Sequence, residues 1–183
     1  MFFLVSALTT SLAAALPLGM VAGQDVTIED VFRAARGRPA QQAVTFDAAA
    51  VPIGSGVTVI ERVGDGTHVE LRLRGVGANR TFGAHVHQKP CAGEPSDSGS
   101  HYQNAHDPQQ PSTNPAYANP LNEVWLDIRT DGHGDGGAAA TQAWRFRPGQ
   151  ARSVVIHEHA THTGAGTAGT AGARLACVNV PFA

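Results

Sequence analysis

From Gln42 onward the chain alternates apolar and polar positions with a period of two, the spacing of a strand with one buried face. The stretch "AVTFD" sets Val44 and Phe46 on one side, "GVTVIERV" sets Val57 and Val59, and "HVELRLRGV" sets Val69, Leu71 and Leu73 against Glu70, Arg72 and Arg74. In "EVWLDIR", Val124, Leu126 and Ile128 oppose Trp125, Asp127 and Arg129, and "AWRFRP" and "SVVIHEH" continue the series. Gly-rich turns such as "GDGT" and "TDGHGDG" separate the runs, so the pattern predicts an all-β domain over 41–183, a β-sandwich or barrel. Two irregular stretches interrupt it, roughly 88–122 and 158–173, and loops that long in one domain are usually functional. Ahead of the alternation, "QDVTIEDVFRAARGRPAQQ" mixes charge, glycine and proline, with Thr27 and Asp30 at capping-box spacing. It reads as a linker or short helical arm over 24–40, outside the core.

Composition narrows the setting. A chain of 183 residues suits one domain with a sizeable core. The net charge of −2, with Lys89 the only lysine and no basic run, argues against a nucleic-acid partner. Residues 1–23, "MFFLVSALTTSLAAALPLGMVAG", are uncharged and mostly apolar, with Pro17 near the end and small residues up to Gly23. They read as a signal peptide, with a membrane anchor as the alternative, and predict a secreted protein with no membrane contact in its mature form. Two cysteines, Cys91 and Cys177, read in an exported chain as one disulfide, the other reading being two buried free thiols. Two motif spellings are set aside. "GAGTAG" (Gly164 to Gly169) has no following helix pattern, and "DGHGDG" (Asp131 to Gly136) has His133 where a calcium loop needs an oxygen ligand.

The chemistry gathers on histidine. In "GAHVHQKPC", His85 and His87 stand two apart and so share one strand face. His101 lies in the first long loop, and His157 ends the apolar run "SVVI" just before the second. Four imidazoles from three segments of a rigid scaffold suit Cu(II), and zinc could also use them. Arg174 lies three residues before Cys177; a fixed guanidinium beside a metal would attract a small anion.

Taken in order, "GAHVHQKPC", "SGSHYQN", "SVVIHEHA" and "AGTAGARLAC" resemble the segments that define the copper/zinc superoxide dismutases, over about Val44 to Val180. The resemblance implies a Greek-key β-sandwich or flattened barrel, superoxide as substrate, and copper held by His85, His87, His101 and His157. It also implies a Cys91–Cys177 disulfide, with Arg174 as the anion-guiding residue and His101 as the ligand that carries a proton. The zinc-binding half departs from the family. His106 remains as a weak zinc candidate, but Tyr117 and Pro120 fall where two further ligands are expected, and Thr161 falls where an aspartate links the two metal sites. The chain therefore looks like a copper-only variant, with zinc doubtful. Its charge-poor second loop leaves steering mainly to Arg174, and His159 and His162 there are either solvated or a weak second metal site. In place of zinc, Glu123 is the candidate partner for the far nitrogen of His101, with Asp107 as the other acid considered. Two alternatives stay open: a non-catalytic copper- or zinc-binding module, and a full copper/zinc enzyme whose zinc site recruits His106, Asp107 and His162. Oligomeric state has no short motif and stays open too.

Overall fold

The computed structural model describes residues 24–35 and 41–183, so the expected signal segment lies outside the described residues. Its strands are, in chain order, β1 (Val26–Val31), β2 (Arg33–Ala34), β3 (Ala43–Thr45), β4 (Gly56–Val63), β5 (Thr67–Arg74), β6 (Thr81–Phe82), β7 (Ala84–His87), β8 (Ile128–Arg129), β9 (Gly136–Gln142), β10 (Ser153–His157) and β11 (Arg174–Asn179). A four-stranded sheet runs β1-β4-β5-β9, a five-stranded sheet runs β2-β3-β11-β10-β7, and β6 pairs with β8. This is the expected sandwich. Between the sheets lie Val57 and Val59 of β4, Val69, Leu71 and Leu73 of β5, Val154 and Ile156 of β10, and Ala176 and Val178 of β11, all buried. Each large aliphatic side chain sequestered there stabilises the fold by about 1.5–3 kcal/mol. Among the described residues no helix is long and apolar enough to cross a membrane.

Three local expectations need correction. Residues 24–35, the described part of the segment expected to be a linker or short helical arm, carry β1 and β2 instead. Val26 and Ile28 alternate with Thr27 and Glu29, and β1 pairs antiparallel with β4 in full register from Val26↔Glu61 to Val31↔Gly56. Phe32 is fully buried between the two strands, and β2 then joins the other sheet beside β3. "AWRFRP" makes no strand: Phe146 packs edge-on to Tyr102 at 4.9 Å and against Phe182 at 4.7 Å, so its alternation serves an aromatic cluster. "EVWLDIR" keeps its alternating burial but pairs only as β8 and a single bridge from Trp125 to His85.

The five-stranded sheet has two unlike faces. Val154, Ile156, Val86 and Val178 point into the core, while His85, His87, Val155 and Cys177 take the opposite face. That outer face is closed by the two long loops. Along the free edge of β7, Tyr102 N–H bonds to Val86 C=O at 2.8 Å and Leu126 N–H to Ala84 C=O at 2.8 Å. The first loop thereby lies along the strand that carries the histidine pair.

Candidate metal centre

Each site residue owes its place to a local feature of the chain. His85 and His87 share a face of β7, paired with Val155 and Ser153 of β10. His101 comes alongside by a bridge to His87, secured by the Gln88 amide on its C=O at 2.9 Å. His157 ends β10. A bulge there makes Arg174, not Leu175, face His157, while Leu175 turns into the core. The extra residue thus puts a guanidinium on the histidine face, the re-aiming that bulges supply. Arg174 is held by Nη1 donating to Pro95 C=O and Ser98 Oγ, both at 2.9 Å. These belong to a 3-10 turn, Pro95–Ser98, within the loop that Cys91 anchors. Cys91 is disulfide-bonded to Cys177 of β11.

One nitrogen from each of His85, His87, His101 and His157 falls within 4.8 Å of the other three. His85 and His87 are fully buried, His157 nearly so, and the His101 side chain is 18% exposed. Burial, with repulsion from the neighbouring His101, holds His85 and His87 well below the usual imidazole range, and His157 falls to about 3 for the same reasons. These rings are neutral, with one bare nitrogen each.

Hydrogen-bond chemistry identifies the bare atoms. A carbonyl oxygen can only accept, so His87 Nδ1–H donates to Gly99 C=O at 3.0 Å and His157 Nδ1–H to Gly172 C=O at 3.4 Å. The bare Nε2 atoms of His87 and His157 then face each other at 3.4 Å, and His85 Nδ1 is buried without a partner among the described residues. Lone pairs converging in a dry pocket are the chemistry of a cation site, and a set of four imidazoles fits copper.

Glu123 is buried beside this cluster, and its Oε2 accepts His101 Nδ1–H at 2.8 Å and Trp125 Nε1–H at 2.7 Å. Gln103 Nε2 donates to the other oxygen at 2.8 Å. Its orientation is set because Gln103 Oε1 accepts the Asp107 N–H and the Gln110 amide, both at 3.0 Å. Gln103 was not foreseen; "HYQNAH" gave no hint that an amide would serve an acid 20 residues on. The second loop covers Glu123 and His101 at Gly169, whose φ of +79° suits glycine and where a Cβ would lie 3.2 Å from that of Ala118.

The other foreseen residues lie elsewhere. His106 is exposed, and the Asp107 carboxylate accepts Gln109 N–H and Ser112 O–H within its own loop. His159 sits 3.5 Å from Glu158, well exposed, and His162 is exposed too. Among the described residues, the four histidines are the one group that brings three or more metal-ligating side chains together. Thr161, which falls where the family's linking aspartate is expected, has Oγ1 2.8 Å from His85 Nε2. A cleft of about 180 Å³ opens over the cluster, lined by His101, His157, Arg174, Thr113 and Gly172 among others.

The family described as copper/zinc superoxide dismutase (SODC) matches residues 54–180. Among solved structures, the Cu/Zn superoxide dismutase from Brucella abortus is 17% identical, with a TM-score of 0.55 over 86% of this chain and 99% of that one. A double mutant of a SOD-like protein from Bacillus subtilis is 17% identical, with a TM-score of 0.53 over 71% of this chain and 92% of that one. The clock protein EA4 is 18% identical, with a TM-score of 0.53 over 92% and 100%. At such identities these likenesses speak for the fold. No curated protein matches the sequence.

Proposed function

The chain belongs to the copper/zinc superoxide dismutase family, and on that premise we propose that it is an exported, copper-only superoxide dismutase. The observation that carries this reading is the convergence of four histidine nitrogens, with a half-buried arginine on the same cleft. Copper held by His85, His87, His101 and His157 would supply the electron exchange, accepting one electron from a first superoxide and giving one to a second. Two superoxides and two protons thereby give one dioxygen and one hydrogen peroxide.

The chain supplies position, charge and a proton. The Arg174 guanidinium, fixed through Nη1, leaves its other N–H groups free to orient a small anion toward the histidines. Burial lowers its pKa from the usual guanidinium value, yet an arginine keeps its charge throughout the working pH range. His101 is the most exposed of the four, so its Nε2, whenever its lone pair is not engaged by copper, would be the atom best placed to take a proton from water and pass it to the departing product. Glu123, accepting His101 Nδ1–H, stands where zinc would otherwise hold that ring and keeps it aligned when Nε2 is protonated. The disulfide supports export, since such bonds persist in oxidising compartments.

The deciding experiment loads the purified protein with copper and zinc, then measures bound metal and superoxide consumption. The reading expects one copper per chain, little zinc, and activity. Zinc without copper, or copper without turnover, would point to the non-catalytic module. His85→Ala and His157→Ala should each abolish activity and most Cu(II) binding; full activity in both would exclude the site.

A further inference from the structure

His85 differs from its neighbours in what holds its outer nitrogen. His87 and His157 donate to carbonyls and His101 to a carboxylate, all obligate acceptors. His85 Nε2 instead meets the Thr161 hydroxyl, which can either donate or accept. Taken alone, that contact does not say which nitrogen of His85 carries the proton. If Thr161 donated to Nε2, the hydrogen would sit on Nδ1 and the lone pair would point away from the cluster.

Asp127 removes the ambiguity. Its Oδ2 accepts the Thr161 N–H at 2.8 Å, and its Oδ1 accepts the Thr161 hydroxyl. A hydroxyl has one hydrogen, and a carboxylate can only take it. The Thr161 oxygen is left to accept from His85, so Nε2 carries the hydrogen. The bare atom is then Nδ1, which is buried and without a partner among the described residues. The His85 ring lies 4.1 Å from that of His101 and 4.9 Å from that of His157.

We propose that Asp127 is a positioning residue that sets the tautomer of His85 through Thr161, turning the Nδ1 lone pair toward the metal. This rests on the proposed function only for the identity of the metal. It assigns a role to a surface carboxylate that touches none of the four histidines, and restores by relay the acid that Thr161 displaces. Close packing makes the relay feasible. Gly83 lies just ahead of β7, and a Cβ there would lie 2.6 Å from His159 O and 3.2 Å from Thr161 Oγ1.

The test uses the metal-free protein first. Nitrogen NMR of the His85 imidazole reports which atom carries hydrogen, with no copper needed. Wild type and Thr161→Ser should both give the Nε2–H form. Thr161→Val and Asp127→Ala should lose it, and titration with Cu(II) alone should show affinity lower by about 10–100-fold. An Nδ1–H form in the wild type would overturn the proposal. So would an effect in Asp127→Ala without one in Thr161→Val, because the valine variant keeps the backbone clamp to Asp127 and that result would reduce Asp127 to a loop fastener. If the wild type bound no copper, the proposed function would fail while the tautomer result still decided the relay.

Discussion

Glu61 faces the core from β4, fully buried, with Ala183 N–H on one oxygen at 2.9 Å and no partner for the other among the described residues. Burial, partly offset by that N–H and reinforced by Asp25, pushes its carboxyl up to about 7. Between the ordinary carboxyl range and that value the native state holds a proton that the unfolded chain has lost, so stability falls as pH rises through the window. Glu61→Gln, which mimics the protonated form, should match wild type in urea melts near about pH 4 and exceed it by up to about 3 kcal/mol near about pH 8. Equal pH profiles for the two proteins would refute this. Arg174 makes a contrasting case, since its role is toward an anion. Arg174→Glu should slow superoxide consumption by at least about tenfold with little change in the Cu(II) absorption spectrum, and the wild-type rate should fall with added salt. An active glutamate variant with a flat salt profile would remove that role.

The elements differ in how plainly the chain announced them. β4, β5 and β10 were legible because valine, leucine and isoleucine alternate there with polar residues. β9, "GGAAATQ", was not, because alanine and glycine carry no contrast; it is a strand because β5 offers it a complete edge. β1 does not show in the local pattern because Thr27 and Asp30 imitate a helix cap, and its claim as a strand rests on the edge that distant β4 offers it. Phe32 measures the consequence. Phe32→Ala should cost about 3–5 kcal/mol in a denaturant melt, the range for emptying a buried aromatic site. A loss below about 1 kcal/mol would mean that the arm lies outside the core after all. Histidine spacing, the arginine and Glu123 were legible for a similar reason: each lies within a short motif or beside one. Thr161 with Asp127, and Gln103 with Glu123, are meetings between distant segments, and nothing in the local pattern encodes them.

At the scale of the whole molecule the disulfide spans 86 residues and joins the loop holding Arg174 to the strand bearing it. Reduction should lower stability by up to about 4–5 kcal/mol in the chain-entropy description. Thiol titration checks it: the native protein should show no reactive thiol, the reduced protein both Cys91 and Cys177. Two titratable thiols before reduction would contradict the bridge. The place of β11 in its sheet has a kinetic consequence. The last of the described strands is the middle one of its sheet, with β3 and β10 on either side, and it brings Leu175 to Thr45 across 130 positions of chain. Closing so wide a loop comes late in folding, and topologies rich in such distant pairings assemble slowly. A chain still emerging during synthesis can own His85, His87 and His101 yet lack the strand that seats Arg174 and backs His157. Such a chain has no finished four-histidine pocket, because the pocket closes only when β11 pairs beside β10.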